Sequence, residues 1–262
     1  MHRLMLWYLA FLYIVSVVLS FFKLLPFDPF QILFTGIYFS FISYISNQII
    51  GFLLKMKPKI EPQFITALIL TFIIGPIPFL PNILFLTLVP VLAMASKYLI
   101  IFDKKHIFNP AALAVTVSAL VLGKNASWWI GNSLMVPFIV IGGLYVLWKI
   151  RRLNMVLIFL LMFFLFILVT NFKNLFPFTA GVSNILSSLS PLLFFGIVML
   201  TEPMTSPADY KLRAYYGIAC AVITILLQRF TSIPYTIELS LLITNILGRI
   251  VTQLKTSPVT SL

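Results

Sequence analysis

Two polar stretches interrupt an otherwise apolar chain, and both place binding and proton-carrying groups beside expected helix ends. The first reads Asp103-Lys104-Lys105-His106-Ile107-Phe108-Asn109-Pro110-Ala111-Ala112. Asn109 is a strong N-cap and Pro110 suits the first helical position, so a helix is expected to start there. The amide groups and dipole of such a start attract an anion such as a phosphate or carboxylate, and Lys104, Lys105 and His106 would add positive charge. The same residues also read as a plain capped helix with basic anchors. The second stretch is Met199-Leu200-Thr201-Glu202-Pro203-Met204-Thr205-Ser206-Pro207-Ala208-Asp209. Pro203 and Pro207 forbid a regular helix, and Thr201, Thr205 and Ser206 can satisfy the backbone groups that the break frees. Glu202 is read as the carboxylate contiguous with a hydrophobic span, with Lys211 or Arg213 as its expected partner. A solvated helix end closed by a proline turn is the plainer alternative.

The elements that must position these groups follow from composition. Of 262 residues, 61% are hydrophobic and 9% charged, against roughly 45–50% and 25% in soluble domains. A water-soluble globule is excluded, and lipid is the natural solvent. Apolar runs of about the length that spans a bilayer fall near 5–22, 31–54, 64–80, 83–101, 110–123, 129–148, 153–170, 184–202, 214–229 and 234–251. Loops on alternate sides then carry 14 and 4 of the 18 Lys and Arg residues. That asymmetry supports ten spans with both termini in the cytoplasm. It also accounts for most of the +12 net charge, so nucleic acid is not an expected partner, while membrane lipid is. The expected fold is an all-α polytopic membrane protein forming one transmembrane domain over 1–262, with inverted halves 1–128 and 129–262. Trp7, Trp128, Trp129 and Trp148 fall near expected helix ends, where amphipathic rings favour the interface.

Much chemistry is excluded. Cys220 is the lone cysteine and His2 and His106 are the only histidines, so the chain alone can build neither a cysteine-ligated cluster nor bis-His haem, and no metal site is expected. No phosphate-cradling glycine loop and no Ser-His-Asp set is present, and no catalytic residue is assigned. The fifth run is short: about thirteen residues rise about 20 Å, less than the hydrocarbon core. It therefore either continues through Trp128 or stops inside the protein. Asn47, Gln48, Gln228 and Asn245 are intramembrane amides expected to bond between helices.

The segments His106–Ala112, Ala126-Ser127-Trp128-Trp129 and Met199–Pro207, in that order, resemble the NqrB/RnfD family of bacterial membrane subunits. In that family Asp usually stands where this chain has Glu202. The resemblance implies a core subunit of a redox-driven ion-translocating complex in the bacterial inner (plasma) membrane. It implies a flavin, FMN or riboflavin, with other redox-complex subunits or a flavin/iron–sulfur oxidoreductase as partners. The family's Ser-Gly-Ala-Thr motif for esterified FMN is absent, and Thr116 and Thr179 lack its context, so a flavin here is expected to be non-covalent. The expected flavin-binding set is Lys104, Lys105, His106, Asn109, Pro110, Thr201, Glu202, Pro203, Thr205 and Ser206. Two other functions remain open on the residues: a solute channel or transporter of the same helical plan, and a cofactor-free anchor for a soluble oxidoreductase.

Overall fold

The computed structural model describes residues 2–103, 105–170 and 189–256. Among them the chain forms ten helices: α1 His2–Phe21, α2 Pro29–Leu53, α3 Ile60–Ile74, α4 Ile83–Leu99, α5 Pro110–Leu122, α6 Val136–Ile150, α7 Leu153–Thr170, α8 Leu189–Met199, α9 Tyr210–Phe230 and α10 Thr236–Thr256. The protein is thus an all-α polytopic membrane protein, as its apolar runs require. Helices α1, α2, α7, α9 and α10, and α4 with the turn before it, are long and apolar enough to cross a bilayer; α3, α5, α6 and α8 are shorter apolar helices. Exposed Phe11, Ile37, Leu161 and Leu226 face outward from the bundle, where lipid rather than water makes their exposure favourable. Buried Ser43, Thr71, Ser118, Thr224 and Thr244 instead populate the interior, where small hydroxyl residues let helices approach closely.

Several boundaries move from their expected places. The third span ends at Ile74 rather than Leu80, because Gly75 adopts φ 90° and Pro76 and Pro78 cannot continue a helix. A distant segment caps this end: the Ser127 and Trp128 N–H groups donate to the Ile73 carbonyl at 2.8 and 3.0 Å, and Ser127 Oγ donates to the Ile74 carbonyl at 2.9 Å. The sixth span starts at Val136, since Trp129–Gly131 forms a separate short 3-10 turn. The fifth helix stops short at Gly123, in the left-handed region at φ 63°, rather than running on through Trp128. Expected span 184–202 is described only from Leu189; its earlier part lies outside the described residues.

The tryptophans divide. Trp7 and Trp148 are exposed, as interfacial rings should be. Trp129 is buried and its Nε1–H donates to the Thr71 carbonyl at 2.6 Å, while Trp128 donates to Glu238 Oε1 at 3.0 Å. These two rings fill space between helices and are not belt residues. Their polar N–H groups find partners because an unpaired donor at that depth would cost about 1–3 kcal/mol.

Candidate functional site

The loop between α4 and α5 contains one feature that the helical pattern did not suggest. Strand β1, Ile101–Phe102, pairs antiparallel with β2, Lys105–His106, in the register Ile101 to His106 and Phe102 to Lys105. Asp103 takes the left-handed conformation at φ 49° within the turn. Arg249 of α10 fixes the hairpin by donating to the Phe102 carbonyl. The hairpin carries the His106 ring toward the end of α8.

That end is irregular for a visible reason. The last turn of α8, Phe195–Met199, is a π-helical turn, and the Leu200 N–H donates to the Phe195 carbonyl at 3.0 Å. Widened turns of this kind release backbone groups and concentrate at functional sites. Thr201 Oγ1 donates to the Ile197 carbonyl at 2.6 Å. Ser206 Oγ donates to the Glu202 carbonyl at 2.5 Å and accepts from Arg152 Nη1. The hydroxyls therefore do what the two prolines demand, and the Glu202 carboxylate is left facing His106.

His106 Nε2 lies 3.0 Å from Glu202 Oε1, with both side chains largely shielded. This corrects the expected pairing of Glu202 with Lys211 or Arg213. Arg213 instead donates to the carbonyls of Pro207, Ala208 and Arg151, because the loop's own carbonyls reach its guanidinium first. The Thr205 hydroxyl sits 3.4 Å from the other carboxylate oxygen, Oε2.

Asn109 caps α5 as expected: its side chain accepts from the Ala112 N–H at 3.0 Å. Its own N–H donates to Asn245 Oδ1 at 2.9 Å, and Asn245 Nδ2 donates to the Tyr216 hydroxyl. Asn109 is buried, so the start of α5 is stitched to α9 and α10 and presents a wall rather than an open cluster of amides.

Beside these groups lies a cavity of about 330 Å³, near the lower end of the roughly 300–1,000 Å³ typical of small-molecule sites. His106, Asn109, Pro110, Thr201, Glu202 and Pro203 line it. Thr205 and Ser206 brace the turn behind it, Lys105 is exposed outside it, and Lys104 lies outside the described residues. Six of the ten expected site residues thus meet around one space, although His106 and Glu202 are 96 positions apart.

The far wall holds residues not expected at the site, although Asn47 was expected to bond between helices, as it does. Lys57, Lys59, Lys97, Asn47, Tyr98 and His2 line it, with an apolar surface from Met5, Met56, Ile65, Ile69 and Val198. Tyr98 donates to Asn47 Oδ1 at 2.6 Å, Asn47 Nδ2 donates to Gln63 Oε1, and Lys97 Nζ donates to the Pro62 carbonyl at 2.8 Å. Their sequence signal existed but was ambiguous, since lysines at helix ends are what topology alone demands.

A second carboxylate was also missed. Glu238, in the first turn of α10, is 1% exposed, so Glu202 is not the sole carboxylate contiguous with an apolar span. Two charged groups outside the spans are perturbed. Burial, reinforced by neighbouring Arg213, lowers Arg152 to about 10. The hydrogen bond from Lys255, with the N–H groups of Leu212 and Lys211, holds Asp209 down at about 2.

Among the described residues no group of three or more His, Cys, Asp and Glu side chains is placed to hold a metal. The family model described as NQR2, RnfD, RnfE matches residues 85–259. A search of curated proteins gave no match.

Proposed function

The chain belongs to the NQR2, RnfD, RnfE family and is a membrane subunit of an Nqr/Rnf-type multi-subunit complex; from that premise we propose that its cavity binds a flavin, FMN or riboflavin, without a covalent bond. The observation that carries this reading is the meeting of the His106 and Glu202 stretches at one cavity. The residue chemistry fits the group. Met5, Met56, Ile65, Ile69 and Val198 offer an apolar wall for a ring system, and Lys57, Lys59 and Lys97 supply cations for a phosphate or an anionic ring. A cavity of about 330 Å³ suits one ring system and its immediate substituents better than a dinucleotide.

A flavin supplies one- and two-electron transfer; the remaining work falls to the chain. Glu202 Oε1 engages His106 Nε2 and so fixes the imidazole ring at the cavity edge. Thr205 steadies that carboxylate, and the Asn109 cap keeps the start of α5 in place. The apolar wall restricts water, which strengthens each polar contact inside.

The rest of the proposal concerns assembly. The site faces the cytoplasm of a bacterial cell, where a redox partner subunit delivers or accepts electrons. Coupling to cation movement would draw on oxygen groups in the interior: buried Glu238, which accepts from Trp128, and the Thr116 and Ser118 hydroxyls, which have no hydrogen-bond partner among the described residues. A desolvated cation needs such oxygens. The halves 1–128 and 129–262 are read as an inverted pair. In support, α2 packs on α4 as α7 packs on α9, and α4 packs on α5 as α9 packs on α10. Helices α1 and α6, and α5 and α10, meet each other, as members exchanged by a two-fold axis would.

The test is the absorbance spectrum of the detergent-purified protein, followed by acid precipitation. Flavin bands with release into the supernatant are expected. Colour retained in the pellet would contradict the non-covalent assignment. A protein that is colourless, and stays so after incubation with FMN and riboflavin, would overturn the flavin reading in favour of solute passage or a cofactor-free anchor.

A further inference from the structure

On the α6–α7 hairpin, set apart from the cavity proposed to hold flavin by Ile150, which lines that cavity, lies an open groove of about 720 Å³. Its polar rim is Trp148, Lys149, Arg151, Asn154 and Tyr210, and among the described residues no carboxylate lines it. We infer that this groove holds the headgroup of an anionic phospholipid, with Lys149 and Arg151 engaging the phosphate.

The hairpin is built to aim those two cations outward. Arg151 sits at the end of α6 with a left-handed backbone, φ 55°, and its carbonyl accepts from Arg213 Nη1 at 2.7 Å. The next residue, Arg152, turns inward and is consumed by Ser206. Lys149 Nζ stands 5.8 Å from the Trp148 ring centroid, within reach of the ring's negative face. Asp209, the acid beside Tyr210 in the chain, is engaged by Lys255 at 2.5 Å and by the N–H groups of Lys211 and Leu212. It leaves the groove's positive charge uncompensated.

A lipid, rather than a free anion, is selected by what lies below the rim. Leu147, Leu153 and Leu157 form the floor. Leu157, Leu161 and Leu165 are all exposed, and their four-residue spacing places them in one stripe down α7. An acyl chain can therefore continue along the helix from a headgroup held above. Exposed Trp148 and Tyr210 are the amphipathic rings that favour the headgroup level.

The experiment is native mass spectrometry of the intact chain released from detergent containing phosphatidylglycerol or phosphatidylcholine, with inorganic phosphate as competitor. Five proteins are compared: the natural chain, Lys149→Gln/Arg151→Gln, Lys149→Arg/Arg151→Lys, Lys149→Gln, and Lys23→Gln/Lys55→Gln, which loses the same charge elsewhere. The natural chain should retain one phosphatidylglycerol more tightly than phosphatidylcholine. The hairpin variant should hold it roughly 30-fold more weakly, from about 1 kcal/mol per interfacial cation. The distant pair should behave as the natural chain. Lys149→Arg/Arg151→Lys should restore retention, and Lys149→Gln alone should give about a 5-fold loss if the double variant does not fold. Equal retention by hairpin and distant variants, or equal retention of the two lipids, would overturn the inference. Displacement by millimolar inorganic phosphate would overturn the lipid assignment and leave a free-anion site.

Discussion

If His106 and Glu202 act as one unit on a bound flavin, their substitutions must not add. The pair is separated by 3.0 Å, and the side chains are 11% and 22% exposed, so solvent screens the contact little. A hydrogen bond to a charged group contributes about 1.5–3 kcal/mol, against about 0.5–1.5 for a neutral one. Glu202→Gln keeps an acceptor of the same shape but removes the charge, so the difference is about 1–1.5 kcal/mol, or roughly 5- to 12-fold in affinity. His106→Gln removes the same charge-assisted bond from the other side and should weaken binding to a similar degree. The double variant should then be about as weak as either single one, with a coupling energy of about 1 kcal/mol. Quenching of flavin fluorescence during titration of the four proteins in detergent measures this directly. Unchanged affinity in both single variants, or losses that simply multiply, would refute the idea that the pair forms one part of the site.

Other expectations are local. Gly75→Ala should destabilise the protein by at least about 1–2 kcal/mol, because φ is +90° and the added carbon would stand 2.7 Å from Ser127 Oγ; a melting curve matching that of the natural chain would contradict it. Asn109→Leu should remove the α5 cap and cost about 1 kcal/mol, with loss of flavin retention as its start shifts from the cavity wall. Intact retention would detach the helix start from the site. Asp209 is held at about 2 against an ordinary 3.8, so its stabilising contact with Lys255 is fully present above pH 3.8 and is lost as pH falls through 2. Hydrogen exchange near residues 250–256 should therefore show less protection in Asp209→Asn at pH 5, with the difference vanishing near pH 2. A difference that persists at the lower pH would be inconsistent with this contact.

The fold was largely legible because lipid imposes two independent signatures, apolar length and basic loop asymmetry, and both pointed to the same ten segments. The boundaries that moved did so through tertiary contacts. Nothing local to Leu80 reveals that Ser127 and Trp128 will take the carbonyls of Ile73 and Ile74. At the site, the Asn109 cap and the hydroxyl repair of the Glu202 turn were readable, since each rests on residues within four positions. The partner of Glu202 was not. Charge alone nominated the nearby Lys211 and Arg213, whereas a short hairpin brought His106 from another part of the chain. The lysines of the far wall show the remaining ambiguity: one residue type serves both membrane topology and anion binding, and only their placement around a common cavity separates the two roles.

The most direct test of the central claim is photolabelling of the purified protein with an azidoflavin, followed by mass mapping of the modified peptides. Label is expected on segments that line the cavity, around Met56–Ile69, Lys97–Ala111 and Val198–Met204, and should be suppressed by excess riboflavin. Label confined to other segments, or label that excess riboflavin fails to suppress, would contradict a flavin site in the cavity that His106 and Glu202 line.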